Sequence, residues 1–243
     1  MIELYGMSSP NVTKVIILLE ELGLEYRLSY VDVMRNRMEA IAGSSPFGKV
    51  PVIIDRGAGD LAVFESGAIL VYLAETYRGE ELLPTSGPER YAVLQWLAAQ
   101  IAAVGPYLGQ NNHFRALPDQ EGSYAALRYA EHARRIYRVL DERLSAAPWL
   151  GGRTYSIADI ATHPWAAYVP RHGLAWSDYP ALEAWWARVG ARPAVARANA
   201  ASAAAFGVRD FEAVTGATRA ELDRFFWREQ PGGPEADFLR GAR

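Results

Sequence analysis

Three short stretches in the first third of the chain carry residue types able to hold a small peptide by its ends and its backbone. They are Ser8-Ser9-Pro10-Asn11, Lys49-Val50-Pro51-Val52 and Glu65-Ser66-Gly67. Glu65 can pair with an ammonium group, and a helix opened by Ser66 offers free N–H groups and partial positive charge to a carboxylate. An ammonium beside a carboxylate is the amino-acid end of a γ-glutamyl peptide. Pro51 stands where a loop enters the β-branched run Val52-Ile53-Ile54, and proline, lacking an N–H, belongs at a strand start or edge. A cis Val50–Pro51 bond would turn the Val50 N–H and C=O outward, where an extended peptide pairs as an added strand; an ordinary trans bond at a strand edge is the alternative. Ser8, Ser9 and Asn11 supply hydroxyl and amide donors at a helix start, a setting that stabilises a thiolate or a departing sulfur. Each piece taken alone also reads as plain helix capping, with Pro10 near the first helical position. Their order and spacing point to a site.

Composition removes several classes of function. The chain has 243 residues and a net charge of −3, so it lacks the basic footprint of a nucleic-acid binder. Arg134, Arg135 and Arg138 alternate with Glu131, Asp141 and Glu142, the pattern of a solvated helix face. The absence of cysteine excludes disulfides, cysteine nucleophiles and thiolate metal sites, and fits a reducing compartment. No signal peptide is visible, and no apolar run reads as long enough to span a membrane; the alanine-rich tract 194–205 carries Arg197 and Asn199. His113, His132, His163 and His172 lack metal-ligand spacing and carboxylate partners at suitable offsets, and His113 reads as a packed or interface histidine, with pocket lining as the alternative. Tyr5 reads as core, and Trp165, Trp176, Trp185 and Trp186 as aromatic packing.

The elements that must position these residues alternate at first. Ile2–Tyr5 reads as a strand, Val12–Leu22 as a helix, Tyr26–Asp32 as a strand and Met38–Ala42 as a short helix. Val52–Asp55 and Ala62–Phe64 read as a hairpin joined through Gly57 and Gly59, followed by a helix over Ser66–Thr76. That β-α-β-α-β-β-α order predicts a thioredoxin-like sandwich over 1–80. After a linker at 79–87 the strand signal ends. Pro88–Leu108, Gly122–Ser145, Ser156–Tyr168 and Ala181–Val189 carry apolar residues at helical spacing, predicting an all-α domain over 88–205. Ser156-x-x-Asp159 reads as a capping box with Tyr155 as its staple. An extension over 206–243 holds an amphipathic stretch, Ala217–Trp227, broken by Pro231–Pro234.

With these stretches in hand, the chain resembles the cytosolic glutathione transferases over roughly residues 1–200. Gln95-Trp96-Leu97 and Gly105-Pro106-Tyr107-Leu108-Gly109-Gln110-Asn111-Asn112-His113-Phe114 are similar to the bacterial nu-class branch, whose members are glutathione-dependent disulfide-bond oxidoreductases related to the yeast nitrogen-regulatory prion protein. The resemblance implies an α/β thioredoxin-like N-terminal domain, an all-α C-terminal domain, a cytoplasmic homodimer and glutathione as co-substrate. It implies sulfur contacts from Ser9 and Asn11, with Ser8 as the rival to Ser9. Lys49 would take the glycyl carboxylate, Val50 with Pro51 the cysteinyl backbone, and Glu65 and Ser66 the γ-glutamyl end. Arg128 matches a ligand-reaching arginine and equally reads as a surface helix residue. One of Arg35, Asn36 and Arg37 is a further candidate contact. The chemistry implied is thiol–disulfide exchange or conjugation, with both reacting sulfurs or the electrophile supplied by ligands. A glutathione-binding or interaction module without catalysis is the alternative, and a dehalogenase or isomerase on the same fold a third.

Overall fold

The computed structural model describes residues 1–35, 39–117 and 120–225. Four strands form one mixed sheet: β1 (Ile2–Gly6), β2 (Tyr26–Tyr30), β3 (Val52–Asp55) and β4 (Leu61–Phe64), in the order β2-β1-β3-β4. β1 runs parallel to β2, with Leu4 opposite Leu28, and antiparallel to β3, with Leu4 opposite Ile53. The β3–β4 hairpin turns through Arg56–Ala58, where Asp55 accepts from the Gly57 N–H and Gly59 sits at φ 70°. The crossover from β1 to β2 is α1 (Pro10–Glu21), whose Val12, Val15, Ile16, Ile17, Leu18 and Leu19 are all buried. α2 (Ser66–Thr76) follows β4.

Among the described residues, the elements after α2 are helices. α3 (Gly87–Ala99), a π-helical stretch (Gln100–Val104) and α4 (Gly105–Arg115) form one continuous rod, followed by α5 (Tyr124–Ala146), α6 (Ile157–Ala166), α7 (Pro180–Gly190), α8 (Pro193–Gly216) and α9 (Arg219–Phe225). α1 packs against α2, α6 and α8, so the sheet half and the helical half share a core that runs from Leu4 and Ile16 to Tyr137 and Trp185. A smaller cluster of Met7, Val31, Val33, Ile41 and Val52 lies on the other side, with Val50 and Phe225 packed against it.

Five expectations change. The second helix of the sandwich shrinks to a single 3-10 turn, Glu39–Ile41. β2 ends at Tyr30, where Asp32 turns back to accept from the Arg35 N–H and Nε. The rod does not stop at Leu108, because Pro106 falls in the first turn of α4, where its missing N–H breaks no ladder. At 29 residues the rod is long and apolar enough by composition to cross a bilayer, which the run-by-run reading missed; here it packs against α5 and α6. The alanine-rich tract opens a 24-residue helix, α8, whose small residues give little apolar periodicity to detect. Met38, Asn36, Arg37, Phe226, Trp227 and Pro231–Pro234 lie outside the described residues.

Candidate functional site

Asn11, Ser45, Lys49, Val50, Pro51, Glu65 and Ser66 line one cavity of about 200 Å³, walled by Phe47 and Phe64. The Val50–Pro51 peptide bond is cis. The Ser45 hydroxyl accepts from the Lys49 N–H at 2.9 Å and donates to the Lys49 carbonyl at 2.8 Å, which closes the loop ahead of Val50. Lys49 extends over the Phe225 ring, 5.3 Å from its centroid. Partial burial lowers the pKa of the Lys49 ammonium below its ordinary value.

Glu65 is the N-cap of α2, held at φ 69°, in the left-handed region that non-glycine residues seldom occupy. Such a conformation costs about 1–3 kcal/mol and persists where neighbouring structure enforces it. Here the Ile69 N–H bonds to the Glu65 carbonyl at 2.9 Å, and Gly67 lies so close to the rod that a Cβ on it would come within 2.0 Å of Ile101 Cδ1. No side-chain hydrogen bond caps α2, and Glu65 at the cap and Ser66 at the first helical position both line the cavity; an uncapped helix start of this kind can receive an anion.

Ser9 caps α1: its Oγ accepts from the Val12 N–H at 3.2 Å, leaving the hydroxyl proton for another acceptor. Asn11 reaches the cavity, and its Oδ1 accepts from the Trp165 indole at 3.1 Å. Ser9 does not line the cavity. With Ser8, Thr13, His163, Tyr168 and Arg171 it borders a larger cleft of about 630 Å³ on the other side of the helix start. The Ser8 N–H donates to Asp210 of α8 at 2.8 Å, so the β1–α1 loop is tied to the helical half.

The structure brings Asn11, Lys49, Val50, Pro51, Glu65 and Ser66 together, sets Ser9 on the adjoining cleft, and leaves Arg128 exposed on α5 beside Tyr124. Arg35 pairs with Asp32 at 2.5 Å. Tyr5 is part-buried against the small cluster, and burial together with Glu3 raises its pKa. His172 bridges Tyr137 and Asn112, and burial lowers its pKa to about 4; His163 stacks on Trp186. Trp165, Asp210 and Phe225 were not foreseen as site residues. Trp165 carried only the signal of a bulky aromatic beside Pro164, and Asp210 and Phe225 carried none, since their partners lie far away in sequence.

Residues 4–81 match the family model of the glutathione S-transferase N-terminal domain, and residues 68–193 that of the C-terminal domain. The disulfide-bond oxidoreductase YfcG of Escherichia coli is 43% identical over 82% of this chain and 94% of its own length. The transcriptional regulator URE2 of Saccharomyces cerevisiae is 31% identical over 79% of this chain and 65% of its own length. The crystal structure of glutathione transferase URE2P6 from Phanerochaete chrysosporium in complex with oxidized glutathione superposes with a TM-score of 0.78 at 30% identity, covering 84% of this chain and 97% of that one.

Proposed function

The chain belongs to the glutathione S-transferase family, and from that premise we propose that it is a glutathione-dependent disulfide-bond reductase. The observation that carries the reading is the single cavity gathering Glu65, the uncapped start of α2, the Val50 edge, Lys49 and Asn11. A tripeptide fits this order of groups. Its γ-glutamyl ammonium meets Glu65, its α-carboxylate the N–H groups at Ser66, its cysteinyl backbone Val50, and its glycyl carboxylate Lys49. The sulfur then falls at the start of α1, within reach of the Asn11 amide and beside the Ser9 hydroxyl. Hydrogen bonds and the helix terminus stabilise the thiolate there.

In the reaction one glutathione thiolate attacks a sulfur of the acceptor disulfide. The S–S bond breaks, a mixed disulfide forms, and the departing thiolate takes a proton. A second glutathione thiolate attacks the glutathionyl sulfur, releasing the second thiol and oxidised glutathione. Two glutathiones are oxidised for each disulfide reduced. Since the chain has no cysteine, every reacting sulfur comes from a ligand. The larger cleft beside Ser9 is where the acceptor enters, and the protein acts as a homodimer in the cytoplasm.

Calorimetric titration with reduced and oxidised glutathione, followed by turnover with bis(2-hydroxyethyl) disulfide, tests the reading. Binding of oxidised glutathione together with turnover supports it. Binding of reduced glutathione alone, with turnover of an electrophile, would redirect it to conjugation. The similarity to a protein named as a transcriptional regulator favours a second reading, a glutathione-binding module without catalysis. Binding without turnover of disulfide or electrophile selects that one.

A further inference from the structure

We propose that Trp165 is a positioning residue, which fixes the Asn11 amide so that its NH2 group, and not its carbonyl, is turned toward the ligand sulfur. The inference rests on the reading that a glutathione sulfur sits at the start of α1.

An asparagine amide has a donor end and an acceptor end of nearly the same shape, so packing alone does not choose between its two orientations. An indole N–H is a donor only. Its bond to Asn11 Oδ1 at 3.1 Å therefore selects one orientation: rotating the amide would set two donors against each other. With Oδ1 held by Trp165, the group left for the cavity that Asn11 lines is the NH2. A thiolate is an acceptor, so this orientation stabilises it, whereas the opposite one would repel it.

The indole is itself held in place. Trp165 is 8% exposed, at the end of α6. Its ring lies against Gly105 and Gly109 of α4, where added Cβ atoms would stand 3.5 Å from Cε2 and Cη2. Two glycines one turn apart share a helix face, which gives a flat shelf for the ring. The Gly105–Gly109 spacing, which the catalytic chemistry leaves unused, thus seats the residue that orients Asn11.

Trp165→Phe keeps a ring on the shelf and removes only the donor. The readout is the pKa of the bound glutathione thiol, followed by thiolate ultraviolet absorbance across a pH series, with calorimetric binding of S-methylglutathione alongside. The expected result is a thiol pKa about one unit higher, a tenfold smaller acid dissociation constant of the bound thiol, with S-methylglutathione affinity changed less than threefold. An unchanged thiol pKa with binding intact would overturn the proposal. Asn11→Asp is the second variant. It still accepts from Trp165 but presents an anionic oxygen to the sulfur, so it is expected to raise the thiol pKa beyond Asn11→Ala; equal values would overturn the proposal. If the unaltered protein binds no glutathione, or Asn11→Ala leaves the thiol pKa unchanged, the functional reading itself fails, and the proposal with it.

Discussion

The Lys14 ammonium donates to Gln100 Oε1 at 2.7 Å, and each of the two residues is only 1% exposed. Lys14 lies one turn beyond Asn11 on α1, and Gln100 opens the π-helical stretch of the rod whose Ile101 packs on Gly67. Burial lowers the Lys14 pKa to about 7, and the negative charge of Glu65 offsets part of that cost. A lysine in the unfolded chain titrates near 10.4. Between about pH 7 and 10 the unfolded state therefore binds the extra proton, so this residue makes stability rise with pH across that window and contributes no slope below it. The difference in melting temperature between the native protein and Lys14→Met is expected to change through that window and to be flat below pH 6. A flat difference throughout would show that the buried lysine does not titrate there. Leaving Gln100 unpartnered adds a pH-independent cost of about 1–3 kcal/mol.

Glu65→Gln removes the charge proposed to meet the γ-glutamyl ammonium while keeping the backbone at φ 69°. Affinity for reduced glutathione, measured by calorimetry, is expected to fall about tenfold or more, the cost of losing a charge-assisted pair. At pH 9, where the buried Lys14 is neutral and gains nothing from the Glu65 charge, the melting temperature without ligand is expected to change little, because Glu65 is exposed.

If the proposed role holds, Asn11→Ala is expected to lower kcat in disulfide reduction by about 10–100-fold, with glutathione affinity within a few-fold, since the lost donor would act on sulfur charge. Steady-state kinetics that show an equal loss in affinity would instead place Asn11 in ground-state binding.

Asp210→Ala frees the Ser8 N–H, which now ends on the Asp210 carboxylate at 2.8 Å. The stability cost is expected to be small, about 0.5–1.5 kcal/mol. Hydrogen exchange at Ser8 and its neighbours in the β1–α1 loop is expected to quicken, since α8 no longer holds the loop. Unchanged exchange would mean that the loop is held by Ser9 capping alone.

Asp159→Ala is expected to be the most damaging of these substitutions. The carboxylate is fully buried and accepts from the Leu150 and Ser156 N–H groups, the Ser156 hydroxyl and the Trp185 indole, all between 2.8 and 3.0 Å. Removing it strands four donors and costs about 3–5 kcal/mol in denaturant unfolding.

What the sequence determined by itself is what short-range forces decide. A cap for α1 within Ser8, Ser9 and Asn11, the helix over Ser66–Thr76, the Ser156–Asp159 box and the hairpin around Gly57 and Gly59 depend on partners within a few residues, and residue type selects them. The grouping of these residues around one cavity was legible in the order of Asn11, Lys49, Val50, Pro51, Glu65 and Ser66, because each lies in the loop entering a strand, at a strand end or at a helix start in a sheet whose topology that order implies. The tertiary structure alone decided which distant side chains meet there. Trp165 reaches Asn11 across 154 residues, Gln100 reaches Lys14 across 86, and Asp210 reaches Ser8 across 202. It also set Ser9 on the neighbouring cleft and Arg128 outside the cavity. The physical reason is that α1 is packed between the two halves. The partners of its exposed turn are fixed by how α6, α8 and the rod come to rest against it, and helix periodicity specifies which face is buried but not which neighbour covers it.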